Sequence, residues 1–259
     1  MRLPIFQVDA FTSQVFRGNP AAVCPLESWL DDATLQSIAA ENNVSETAFY
    51  VGGDGTYEIR WMTPAQEVDL CGHATLASAF VLFGGPEQGR EEVVFRSKSG
   101  DLKVRREGDL ITLDFPSRPP RAVTASDDLL EGLGRAPREV WAARDYLAVY
   151  DREEDVRALS PDMARLLRLD QFAVIVTAPG SRVDFVSRFF APRAGIDEDP
   201  VTGSAHCTLV PFWSKRLGKK RLHALQVSAR GGELFCEDRG ERVAISGRAV
   251  RYLEGTIEV

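Results

Sequence analysis

Arg60-Trp61-Met62-Thr63-Pro64 is answered 128 residues later by Arg188-Phe189-Phe190-Ala191-Pro192: a basic residue, two large apolar residues, a small one and a proline. Further out, Cys71-Gly72-His73-Ala74 stands against Thr202-Gly203-Ser204-Ala205 at a spacing of 131. Ser97-Lys98-Ser99-Gly100 followed by Leu102 stands against Ser228-Ala229-Arg230-Gly231 followed by Leu234, again at 131. Upstream, Ser45-Glu46-Thr47-Ala48-Phe49-Tyr50-Val51 is matched to Asp170-Gln171-Phe172-Ala173-Val174-Ile175-Val176. One such match carries little weight, but four in the same order define a repeat. Its period is far too long for a solenoid. The chain is therefore read as an α/β protein of two pseudo-symmetric lobes, diverged copies of one unit, with the active site expected in the cleft between them.

The element pattern follows the repeat. Leu3–Phe11 alternates like a strand, and Gly18-Asn19-Pro20 turns the chain into the apolar run Ala21–Cys24. Asp31-Asp32 opens a helix through Ala40, because acidic side chains suit the positive end of a helix. Strands are expected at 46–51, 57–61, 93–96, 102–106 and 110–115, with a helix at about 72–83. The second lobe repeats the order: strands, a helix over 203–217 with Pro200 just ahead of it, then strands at 225–229, 234–237 and 242–246. Ser117-Arg118-Pro119-Pro120 reads as the linker. The lobes are drawn at 1–117 and 118–249, with a C-terminal strand from about 250 to 259 returning to the first.

Composition narrows the function classes. With 44% hydrophobic and 27% charged residues, 259 residues have the balance of a compact water-soluble protein that needs no disulfide staples. A net charge of -7 argues against nucleic-acid and anionic-membrane partners, both of which need a basic face. Lys219-Lys220-Arg221 reads as a solvated helix end. Cys24, Cys71, Cys207 and Cys236 form no C-x-x-C pair, the N-terminus has no apolar h-region, and no apolar run reaches membrane-spanning length. The expectation is a reduced, cytoplasmic protein.

Candidate chemistry clusters where the two central helices begin, at Gly72 and Gly203. Helix N-termini present unpaired N–H groups and partial positive charge, which hold carboxylates and developing oxyanions; a small anionic substrate is expected. Glu46 faces Gln171 in the repeat, so a titratable carboxyl is present in one copy only, as a single-base proton shuttle would require. A carboxyl that acts as base and then as acid works best with its pKa lifted from about 4.3 toward roughly 6–7, and Asp199 is the charge expected to do this. His73 is placed to donate to a substrate or relay a proton. Thr202 and Ser204 are candidates for a substrate carboxylate or for helix capping. Cys71, at a helix N-terminus, is expected to have a depressed pKa and to offer an acid/base thiol. Cys71, His73, His206 and Cys207 are not read as a metal site, because adjacent His206 and Cys207 point to different helix faces. Neither a dinucleotide fingerprint nor a P-loop is present.

At these residues the chain resembles the phenazine-biosynthesis isomerase family (PhzF-like proteins), relatives of diaminopimelate epimerase. The resemblance runs through Val8-Asp9-Ala10-Phe11-Thr12, Gly18-Asn19-Pro20-Ala21-Ala22-Val23, residues 41–49 (ENNVSETAF), residues 69–75 (DLCGHAT) and residues 198–206 (EDPVTGSAH). It implies two lobes, each a curled, mostly antiparallel sheet around a central helix, a homodimer, and cofactor-free catalysis. In the phenazine-pathway isomerase a glutamate takes a proton from one carbon of dihydro-3-hydroxyanthranilate and returns it to another, and Glu46 occupies that motif position. His73 and Asp199 match residues that assist, and Asn19, Gly72, Thr202, Gly203 and Ser204 form the implied substrate-binding set. Diaminopimelate epimerase uses one cysteine from each half; here Cys71 matches the first, but Thr202 stands near the second, which weighs against two-thiol racemisation. Two further readings stay open: epimerisation through Cys71, and a catalytically silent binding module that kept the fold.

Overall fold

The computed structural model describes residues 1–259. The chain divides into two compact units, Met1–Phe115 with Ile245–Val259, and Pro116–Ala244. In the first, β1 (Arg2–Ala10) and β2 (Asn19–Leu26) lead into α1 (Asp32–Asn42), β3 (Glu46–Gly53), β4 (Thr56–Met62) and the short β5 (Glu67–Val68). The central helix α2 (Gly72–Gly84) and strands β6 (Glu92–Ser97), β7 (Gly100–Glu107) and β8 (Leu110–Pro116) follow. The second unit has β9 (Arg121–Ala122), α3 (Asp127–Leu133), β10 (Glu139–Ala142), β11 (Tyr146–Val149), α4 (Glu153–Arg157), α5 (Met163–Leu166), β12 (Val174–Pro179) and β13 (Phe185–Phe190). Its central helix α6 (Gly203–Leu217) precedes β14 (Arg221–Gln226) and β15 (Gly232–Asp238). Strand β16 (Arg242–Gly247) carries the chain back to the first unit, where β17 (Ala249–Glu258) pairs antiparallel with β1.

The repeat is written in the hydrogen-bond ladders. Among the strands of the first unit, β1/β2 is antiparallel, β2/β3 parallel, β3/β4 antiparallel, β4/β6 parallel and β6/β7 antiparallel. Among those of the second, β10/β11, β11/β12, β12/β13, β13/β14 and β14/β15 repeat that sequence of senses. One ion pair recurs as well. Arg60 Nε and Nη2 donate to Glu67 Oε1 and Oε2 at 2.9 and 2.9 Å, and Arg188 Nε and Nη2 donate to Glu198 Oε1 and Oε2 at 2.7 and 2.9 Å. In each copy this two-point grip ties a strand to the segment that enters the central helix.

The ladders also correct two alignments. Arg60 lies opposite Phe49, and Arg188 opposite Val176. Three residues before each of these partners stand Glu46 and Ala173, so Ala173, not Gln171, is the counterpart of Glu46. The slip is two residues, which keeps side chains on the same face of a strand, so the alternation in the sequence did not expose it. Likewise Ser187 pairs with Gln226, and the turn joining β14 to β15 runs over residues 227–231, where strand was expected. That turn is longer than its two-residue counterpart between β6 and β7. Ser99, not Ser97, is then equivalent to Ser228: Ser99 Oγ donates to Asp69 O and Ser228 Oγ to Pro200 O, at 2.9 and 2.8 Å.

The two central helices are apolar on nearly every side, as a helix enclosed by sheet must be. Leu76, Ala77, Leu82 and Phe83 of α2, and Leu209, Val210 and Trp213 of α6, are 0–2% exposed. Truncating one such leucine to alanine costs about 2–5 kcal/mol. Pro211 sits inside α6 and offers no N–H to Cys207 O. Arg118 N, from the segment read as linker, donates to that carbonyl at 2.8 Å. No helix is long and apolar enough to cross a membrane.

Candidate active site

In the first unit, four candidates meet where three elements begin. Gly18 takes φ +65°, and a Cβ there would lie 2.1 Å from Ala10 O, so only glycine turns the chain tightly enough to start β2 at Asn19. Helix α1 ends on Asn43 in the left-handed region, φ 48° and ψ 36°, its N–H donating to Ala39 O. Three residues later Glu46 opens β3, parallel to β2 and opposite Ala21. Cys71 is the N-cap residue of α2, and Gly72 and His73 are in its first turn.

Glu46 Oε2 lies 3.0 Å from His73 Nε2, with the two side chains 13% and 6% exposed. Asn19 Nδ2 lies 3.1 Å from His73 Nδ1 on the other side of the ring, and Cys71 Sγ lies 3.6 Å from the same nitrogen. Burial alone would lower the His73 pKa; negative charge on Cys71 and Glu46 and the hydrogen bonds to them outweigh it and hold it well above its usual value. Burial, with Glu46 adding, pushes the Cys71 thiol up to about 11. The depressed pKa expected from the helix N-terminus is therefore reversed. The α2 N-terminus has no side-chain cap, so its first N–H groups remain available to an anionic oxygen.

Glu46, Cys71 and His73 also offer three donor atoms within 4.8 Å of one another, a mixed oxygen, sulfur and nitrogen set that could take a metal. His206 and Cys207 lie in α6 and are not part of that group.

In the second unit, Asp199, Thr202, Gly203 and Ser204 gather at the start of α6. Thr202 is the N-cap residue, yet its side chain does not cap. Its hydroxyl donates instead to Asp199 Oδ2, and its N–H donates to Gln226 Oε1 at 2.8 Å. Asp199 and Thr202 are buried, and Ser204 is half-buried. His206 Nδ1 contacts Thr202 O at 2.8 Å, while its Nε2 is buried without a partner. Burial lowers the His206 pKa to about 4. In α2 the matching position is Thr75, whose hydroxyl donates to Cys71 O. Sequence reasoning did not find Gln226; its only signal is that a long amide falls on the buried parity of β14, with Leu222 and Ala224.

Residues 8–255 match the model of the phenazine biosynthesis-like protein family, PhzC-PhzF. An uncharacterized isomerase of Pseudomonas aeruginosa is 56% identical over 259 residues, covering 100% of both chains. A phenazine biosynthesis-like domain-containing protein of Homo sapiens is 43% identical over 286 residues, covering 99% of each. Among solved structures, a PhzF-family protein of Enterococcus faecalis superimposes with a TM-score of 0.97 at 47% identity, covering 100% of both chains.

Proposed function

The chain belongs to the phenazine biosynthesis-like family, and from that premise we propose that it is a cofactor-independent isomerase that moves a proton within a small, carboxylate-bearing substrate. The observation that carries this reading is the 3.0 Å contact between Glu46 Oε2 and His73 Nε2 in a nearly enclosed position. Glu46, as carboxylate, takes the proton of one C–H bond, and the electron pair delocalises into the conjugated carboxylate system of the substrate. Glu46, whose carboxyl proton exchanges with solvent while it is held, then delivers a proton to a different carbon, with no net gain or loss. His73 orients the carboxyl and offsets its charge while it is ionised. The N–H groups that open α2 fit the anionic oxygens on which charge develops.

Asp199 and Ser204 enter the reading from the family resemblance, with Asp199 assisting proton transfer and Ser204 binding the substrate. The Cys71 epimerase reading gains nothing from the geometry, since a thiol raised to about 11 is a poor base near neutral pH.

The test is solvent-deuterium incorporation into a panel of small carboxylic acids, dihydro-3-hydroxyanthranilate included, followed by mass spectrometry. Wild type is expected to label at least one compound and Glu46→Gln none. Full labelling by Glu46→Gln sinks the mechanism; binding without labelling in wild type favours a binding module.

A further inference from the structure

The Arg188–Glu198 pair secures the segment entering α6, but it stops one residue short of Asp199. Beyond it the contacts pass to Gln226, the last residue of β14, 1% exposed. Gln226 Oε1 accepts from Thr202 N–H at 2.8 Å, and Nε2 donates to the Asp199 backbone oxygen at 2.8 Å and to Thr202 Oγ1 at 3.2 Å. Two backbone groups settle which way the amide faces: an N–H only donates, and a carbonyl only accepts. Because Thr202 Oγ1 receives the amide's proton, its own hydroxyl proton is committed to Asp199 Oδ2.

We propose that Gln226 is a positioning residue that fixes the Asp199 carboxylate by fixing the direction of the chain Gln226 Nε2–H to Thr202 O–H to Asp199 Oδ2. The role rests on the assignment of Asp199 to the reaction. It also moves Thr202 out of the substrate-binding set, because its N–H and O–H are both engaged within the protein, and leaves Gly203 and Ser204 there.

The first copy supplies the contrast. Its counterparts of Asp199, Thr202 and Gln226 are Val68, Cys71 and Ser97, and the Ser97 hydroxyl donates to Gly100 O within its own turn. The Arg–Glu grip is present in both copies and is what the fold needs. The three-residue polar chain is present in one copy only, as a connected set, beside the one carboxylate it serves. A residue kept for the fold alone would be needed twice.

Gln226→Met removes the amide at nearly constant length; Thr202→Val keeps the backbone N–H bond and removes the hydroxyl. Protein labelled with 13C at the aspartate carboxyls is titrated by NMR, with the Asp199 resonance identified through Asp199→Asn. Both variants are expected to raise the Asp199 midpoint by about one pH unit, and the double variant by no more than either alone. The other ionisable groups on the segments that meet here, His206, Lys215 and Arg216 on α6, Arg221 and His223 on β14, Arg230 in the turn after it, and Asp197 with the Arg188–Glu198 pair, are unchanged in every variant. A midpoint within about 0.2 unit of wild type in either folded variant overturns the proposal. If Gln226→Met does not fold, the isosteric Thr202→Val decides. Deuterium incorporation by Asp199→Asn is scored separately: full incorporation removes Asp199 from the reaction and leaves the positional result standing.

Discussion

Asn19 Nδ2 lies 3.1 Å from His73 Nδ1, while Glu46 Oε2 lies 3.0 Å from the Nε2 of the same ring. The imidazole thus has a polar neighbour at each nitrogen, and Asn19, expected from the resemblance to contact substrate, has its amide nitrogen turned to the histidine. With Nδ1 accepting, Nε2 carries the proton and faces the carboxylate; when the ring takes a second proton, the amide must present its oxygen instead.

Asn19→Leu is accordingly expected to leave the fold intact and to slow deuterium incorporation by about 10–100-fold, the equivalent of one hydrogen bond to a charged group. Asn19→Asp should restore more of the rate than Asn19→Leu, since a carboxylate can accept from Nδ1–H. Initial rates and circular dichroism on the same samples check this; an unchanged rate in Asn19→Leu refutes the positioning role.

Cys71 gives the sharpest division between the two enzyme readings. All four cysteines are buried, and burial raises the thiols of Cys24, Cys71, Cys207 and Cys236. A thiol-specific chromogenic disulfide should therefore find almost no reactive cysteine in the native protein at neutral pH, and all four once the chain is denatured. Cys71→Ala is expected to keep deuterium incorporation within about threefold of wild type, because no proton passes through sulfur. Rapid native labelling of Cys71, with loss of incorporation in parallel, would restore the thiol mechanism.

His73 and His206 have opposite pH signatures in separate windows. The His73 pKa is raised in the folded state, so its contribution to stability is fully present below the unfolded value of about 6.5 and is lost as pH rises through the folded value. The His206 pKa is lowered to about 4, so from roughly 6.5 downward the unfolded chain binds a proton that the folded chain refuses. Stability then falls with pH by up to about 3 kcal/mol between pH 6.5 and 4, undiluted by solvent because His206 is 0% exposed. Carboxylates such as Glu67, held near 2 by Arg60, add their own acid loss, but this cancels between wild type and variant. His206→Thr, which copies Thr75 of the first unit, should flatten the denaturation midpoint between pH 6.5 and 4 and leave the alkaline limb as it was. Parallel slopes in the two proteins would contradict the assignment.

The architecture was more legible in the sequence than the register. The Arg-to-Pro repeat and the Gly72 and Gly203 helix starts located both central helices, because a helix enclosed by sheet needs a long apolar run and a small residue at its entry. Register was lost where a two-residue slip leaves the hydrophobic alternation unchanged, as at Glu46 and Gln171. Helices α3, α4 and α5 were not anticipated, although Ser126 does cap α3 by accepting from Leu129 N; runs this short give no helical period to read. Glu46, Cys71 and His73, singled out by motif position, do lie side by side, whereas the depressed Cys71 pKa expected of a helix N-terminus is reversed, since burial is a property of packing. Gln226 was invisible for a similar reason: its role depends on Asp199, twenty-seven residues away in sequence.

The repeated Arg–Glu grip offers a comparison of one interaction in two settings. Arg188 Nη1 donates in addition to Val156 O and Leu159 O, at 3.2 and 2.8 Å, whereas Arg60 Nη1 donates to the exposed carboxylate of Asp32. Removing Arg188 thus strips a part-buried Glu198 of its cation and leaves two carbonyls short of a donor, while Asp32 and Glu67 can turn to water or, for Glu67, to Lys98. Arg188→Met is expected to cost about 3 kcal/mol and Arg60→Met about 1 kcal/mol, both discounted from the fully buried case because the carboxylates keep some solvent. Urea denaturation of the two variants measures the difference directly. Equal losses would mean that the carbonyl contacts of Arg188 add nothing, and that the grip alone sets the stability of each entry into a central helix.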